Sequence, residues 1–189
     1  MGSDYYVTPT PQQNGFSRKM IFIGGGLIVA IIIAFILLLS GGGKNASSQL
    51  QHLSLRQAAL QAMLDDTSTT RNIRNQDLNR LIADFSLNLQ SDTNQLAPLF
   101  IEAGMSEKID KNIAINEADS STKGKLEAAS LNNQLDRTYA EILKQKIESI
   151  QALLAETLPL IKDIDLKKAL EAHDAHLEKT KIQLEKINL

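Results

Sequence analysis

Apolar residues along this chain follow two different rules. From Met20 to Leu39 the sequence MIFIGGGLIVAIIIAFILLL runs for 20 residues without a charge, whereas from about residue 48 onward apolar residues return at every third or fourth position. At ~1.5 Å of rise per residue, the first run is long enough to cross the roughly 30 Å hydrocarbon core of a bilayer. Lipid offers the backbone no hydrogen-bonding partner, so such a run is expected to satisfy its own groups as a helix. The three-and-four spacing is that of amphipathic helices, each burying one stripe.

The stripes predict four such helices. The first runs from about Ser48 to Leu64 with Leu50, Leu53, Ala58, Leu60 and Leu64 on or near one side, and Asp65-Asp66-Thr67-Ser68 ends it and caps the next helix. The second carries Leu78, Leu81, Ile82, Phe85, Leu89, Leu96, Phe100 and Ala103 up to a stop at Gly104, with Pro98 expected to kink or restart it. Residues 105–125 are the least regular stretch and predict a long connection with one short helical turn at most. The third helix is expected from Leu126 or Leu131, through Leu135, Tyr139, Ile142, Leu143, Ile150, Leu153 and Leu154, to Pro159. Asp163 or Asp165 caps the fourth, whose seam is Leu166, Leu170, His173, Leu177, Thr180, Leu184 and Ile187. No such helix can bury its stripe alone, and two short turns with one long connection point to an all-α four-helix bundle over residues 48–189.

The flanks of the apolar run suggest how the chain is laid out. Arg18 and Lys19 directly precede it and Lys44 stands alone beyond a glycine run, so the positive-inside bias places the N-terminus in the cytoplasm and residues 45 onward outside. Residues 1–19 read as a disordered cytoplasmic tail, 20–40 as an uncleaved transmembrane signal anchor, and 41–47 as a Gly-rich linker. A cleaved signal peptide is the alternative, with Ser40 to Gly43 as its small-residue site, but its apolar core would be shorter. Gly26, Ala30 and Ala34 are spaced by four and offer a face on which two spans would pair in a homodimer.

Leu135-Asp136-Arg137-Thr138-Tyr139, then Leu158-Pro159, then His176-Leu177, resemble the C-terminal half of a ferritin-like four-helix-bundle domain found in a family of exported bacterial proteins. That resemblance implies a bundle and an exported setting, and no particular activity.

Composition narrows the chemistry. Without cysteine there is no disulfide, thiolate metal site or catalytic thiol. Twenty Lys and Arg against 22 Asp and Glu leave no broad basic surface, so nucleic acid is not an expected partner. No Gly-x-Ser-x-Gly, phosphate-binding glycine loop, His-Glu-x-x-His or Glu-x-x-His occurs. His173 and His176 share a face of the fourth helix and are the metal-ligand candidates, with His52 joining them if the first helix lies against the fourth. His173 falls on the apolar seam, however, where a packed histidine is the more ordinary outcome. Asp136, Arg137 and Tyr139 predict a buried hydrogen-bonded group at the start of the third helix. The expected function is thus interaction with a protein or cell-envelope partner by a membrane-anchored, non-enzymatic, cofactor-free bundle. The alternative is a metal-binding or stress-related protein on a degenerate ferritin-like bundle.

Overall fold

The computed structural model describes residues 46–106 and 108–189. The tail, the apolar span, Arg18 and Lys19, the Gly26, Ala30 and Ala34 face, and residues 41–45 of the linker lie outside the described residues. Among the described residues there are only helices and their connections, and no helix is long and apolar enough to cross a membrane.

Four long helices carry the domain: α1 (Ala46–Asp65), α3 (Gln76–Glu102), α6 (Leu135–Thr157) and α7 (Ile164–Glu185). Three short ones lie in the connections: α2 (Thr67–Thr70), α4 (Lys111–Asn116) and α5 (Thr122–Leu131). A single 3-10 turn, Leu158–Leu160, follows α6. α1 begins at Ala46, so the last two residues of the expected linker are already helical.

Each long helix packs on two others. α1 and α7 both pack on α3 and on α6, which makes α1 and α7 diagonal partners, and likewise α3 and α6. The directions follow from the contacts at the ends. The Tyr139 hydroxyl, near the start of α6, donates to the carbonyl of Met63, near the end of α1. The Ser47 hydroxyl, at the start of α1, donates to the carbonyl of Gly104, just past α3. α1 and α7 therefore run one way and α3 and α6 the other, and residues 103–134 must return the length of the bundle. For α3, with 27 residues, that length is about 40 Å.

The core is built largely from the predicted stripes, with Ile147 added to the third and Ala58, expected on or near the first, exposed. Leu50, Leu53, Leu60, Leu78, Leu89, Leu143, Ile147, Leu154, Leu166, Leu170 and Leu177 have no side-chain exposure to speak of, and each such burial is worth about 1.5–3 kcal/mol. Helix ends follow local chemistry. Asp66 caps α2 through the Ser68 amide at 3.0 Å, and Asp163 caps α7 through the Leu166 amide at 2.7 Å. Gly104, at φ +89, closes α3 with its own amide on the Ile101 carbonyl and the Met105 amide on the Phe100 carbonyl, the two bonds of a Schellman stop.

Two expectations are settled by the helix bounds. Of the two outcomes expected at Pro98, a restart does not occur: α3 passes through without ending, because Pro98 is exposed on a helix whose packed side continues through Leu96 to Phe100. The third predicted helix is two helices, α5 and α6. They are separated where Asn133 takes φ 55 and the Gln134 amide reaches back to the Ala129 carbonyl at 2.9 Å. Asparagine tolerates this left-handed backbone better than other non-glycine residues do, so the Schellman stop forms there without glycine.

Candidate functional site

At one level of the core, three helices each place a polar residue on their inward stripe. Gln57 stands between Leu53 and Leu60 on α1, Asp92 between Leu89 and Leu96 on α3, and His173 between Leu170 and Leu177 on α7. The spacing by three and four that buries their apolar neighbours carries these residues into the core at one level. There they form a chain. Gln57 Nε2 lies 3.0 Å from His173 Nε2, and His173 Nδ1 lies 2.9 Å from Asp92 Oδ2. His176, one turn further along α7, brings its Nδ1 to 3.0 Å from both oxygens of the same carboxylate. With Gln57 Nε2 donating, His173 Nε2 accepts, and Nδ1 carries the proton that goes to Asp92. Neither ring nitrogen of His173 is left over.

Asp92 is the one buried acid among the described residues. Burial pushes its carboxyl up, but the hydrogen bonds and charge of the two histidines more than offset this and hold it below the usual carboxylate range. His176 differs from His173 in that 49% of its side chain is exposed. It lines a shallow pocket of about 290 Å³ that also includes Asp84, Asn88, Lys179 and Thr180. A histidine oriented by a carboxylate on one nitrogen can move a proton at the other. The threonine hydroxyl of the pocket is not available to it as a nucleophile, because Thr180 Oγ1 donates to the His176 carbonyl at 2.9 Å.

His52 does not join the other two histidines. It turns to the crossover, where its Nδ1 lies 2.8 Å from Glu117 Oε1. Arg56 holds the same carboxylate with two parallel bonds, Nε to Oε2 at 2.8 Å and Nη2 to Oε1 at 2.9 Å, and its Nη1 reaches the Ser149 carbonyl on α6. Burial pushes Glu117 up, and these partners bring it below its ordinary value. Asp119 follows on the crossover and pairs with Lys146 of α6. The hydrogen bonds from Lys146 and Thr122 overcome the upward push of burial and bring it down to about 2. Closer to α3, Gln51 accepts from the Asp110 amide and donates to the Lys108 carbonyl, both at 3.3 Å. These groups lash the crossover to α1 and α6.

The grouping predicted around Tyr139 is also different. Tyr139 is fully buried, its hydroxyl is satisfied by the Met63 carbonyl, and burial pushes it well above its ordinary value. Asp136 and Arg137 stay at the end of the bundle, where Asp136 accepts from the backbone amides of Arg74 and Asn75.

A ferritin-type dinuclear centre needs an inward carboxylate from each of four helices and two inward histidines. The residues here do not fit one. α1 contributes Gln57 at that level, and the acids of α6 (Asp136, Glu141, Glu148 and Glu156) all lie outside the core. No cluster of three or more histidine, aspartate or glutamate residues suited to a metal ion occurs among the described residues. Gln57 and Asp92 were legible only as polar residues on an apolar stripe, the signal that also marked His173. No protein-family model, curated protein or solved structure matches this chain.

Proposed function

We propose that this protein is a single-pass, membrane-anchored helical bundle that lies outside the cytoplasm and acts by binding a protein or cell-envelope partner rather than by catalysis. The observation that carries this reading is how its chemically capable side chains are used. His52, His173, Asp92, Glu117 and Asp119 are all engaged in holding helices and crossover together, half-exposed His176 is held on Asp92 with the Thr180 hydroxyl beside it already engaged, and the rest of what the domain turns outward is helix surface. Large apolar side chains are part of that surface, among them Ile101 and Ile164 at the end of the bundle where Ala46 enters. The uncharged run at 20–40 and the Arg18-Lys19 flank support the anchor and its orientation. Cross-linking in whole cells followed by purification of the full chain tests the reading. A reproducible cross-linked partner supports it, and a chain recovered only as itself counts against it.

A second reading, a metal-binding or stress-related protein on a degenerate ferritin-like bundle, draws support from one topological fact. A single long crossover joins the second and third long helices, as in ferritin-like folds. Elemental analysis of the purified full chain distinguishes the two, since a stoichiometric transition metal favours the second.

A further inference from the structure

The bundle end opposite Ala46 contains an open cleft of about 660 Å³ between the α1–α3 connection and the start of α6. Arg71, Arg74 and Arg137 all line it. Of the five arginines in the described residues, Arg56 is paired with Glu117 and Arg80 with Asp77. The three in the cleft make no ion pair among the described residues. Arg74 Nη2 reaches only the neutral Asn133 Oδ1, at 3.3 Å.

The single acidic side chain lining the cleft, Asp136, is committed elsewhere. Its oxygens accept from the Arg74 amide at 3.0 and 3.3 Å and from the Asn75 amide at 2.8 Å. Three arginines therefore line the cleft beside one acidic side chain that backbone amides already engage, with Leu189 at its edge, in a domain whose described residues otherwise lean acidic. The backbone carrying two of these arginines is also set in place. Asp66 caps α2 just before Arg71, Asp136 holds the amide of Arg74, and Asn79 Nδ2 holds the Ile73 carbonyl at 2.8 Å. Arg137 is placed by the Asn133 stop that starts α6 at Leu135. Guanidinium groups match the paired oxygens of carboxylates and phosphates, and the match is stronger when their backbones are already fixed.

We propose that this arginine cleft is a binding site for a multiply charged oxyanion, carried by the partner or ligand as phosphate or clustered carboxylate. The proposal deepens the binding reading and takes its biological meaning from it, but it is tested separately. Inorganic pyrophosphate and tricarballylate, a tricarboxylate, are titrated into the full chain in non-ionic detergent at low salt, with calorimetric detection. Saturable binding is expected for at least one of them, and which one binds tells phosphate from carboxylate. Binding should weaken at least about tenfold in R71Q/R137Q, which removes two charged donors, and should weaken as salt rises. R80Q, whose arginine lies outside the cleft, should bind as the parent does. Both variants change exposed side chains, and circular dichroism reports whether the helices are intact. No binding of either anion at about 10 mM, or equal loss in R80Q, overturns the cleft. A cross-linked partner obtained alongside that result would leave the binding reading standing without it.

Discussion

Gln57 and His173, 116 residues apart in sequence, meet Nε2 to Nε2 at 3.0 Å across the diagonal of the bundle. They belong to α1 and α7, the pair of long helices that are diagonal rather than adjacent. The contact therefore sets how both helices are rotated about their own axes, and Asp92 extends it to α3. Polar groups at this depth are favourable when paired and costly when one partner is removed.

The two histidines on Asp92 should respond very differently to substitution. D92A strands the Nδ1–H of His173, which is 1% exposed, and is expected to cost about 2–4 kcal/mol. H176A removes a ring that water already reaches and should cost less than about 1 kcal/mol. Urea unfolding of the full chain in detergent, followed by far-UV circular dichroism, measures both. Equal costs would mean that the network is not organised around the buried histidine.

Acid should loosen the domain in a defined window. Asp92, Glu117 and Asp119 all have folded-state values below their ordinary ones, with Asp119 at about 2. A lowered folded value contributes stability that is complete above the unfolded value, near pH 4, and is lost as pH falls through the folded value. The midpoint of unfolding is thus expected to hold steady above about pH 5 and to fall progressively toward about pH 2. D92N should lower the plateau and flatten the upper part of that fall. Thermal melts across the pH range give the result.

The crossover should come loose before the bundle does. Arg56 grips Glu117 with two bonds and Ser149 with a third group, tying α1, the crossover and α6 together. R56K keeps the charge but loses the planar fork, so it should restore little of what R56A loses. Limited proteolysis should then cut residues 105–121 at least several times faster in both variants, with α1, α3, α6 and α7 still protected. Cutting spread evenly over the domain would argue against a locally held crossover.

Pro98 is a removable cost. It sits exposed inside α3 and has no N–H to give to the carbonyl one turn earlier. P98A restores the donor in a helix that is already continuous there and should stabilise the protein by about 1–3 kcal/mol. An unchanged or lower melting temperature would mean that the restraint proline places on the unfolded chain matters more than the missing bond.

Much of the architecture was legible residue by residue. The stripes Leu78 to Phe100 and Leu166 to Leu184 are the buried faces of α3 and α7, and Gly104, Asp66 and Asp163 stand at the ends where their backbone chemistry puts them. The Asn133 stop was missed because asparagine enters the left-handed region only when its surroundings make that worthwhile. At Pro98 the sequence left a restart open, and the continuous packed stripe decided against it by outweighing one lost donor. His173 was visible as a polar residue on a seam. Gln57 and Asp92 carried the same signal on their own helices, but nothing local indicated that the three share a level.

Sequence alone determined the four long helices, most of their buried sides and most of their ends, because these depend on spacing and on chemistry within a few residues. The tertiary structure alone decided which polar group meets which: His52 with Glu117, His173 with Asp92 and Gln57, and three arginines, without an ion pair among the described residues, together at one end. Those pairings depend on the direction, rotation and level of each helix relative to the others and on the path of the crossover. All of these are set by packing the whole core at once, so no single stripe contains them.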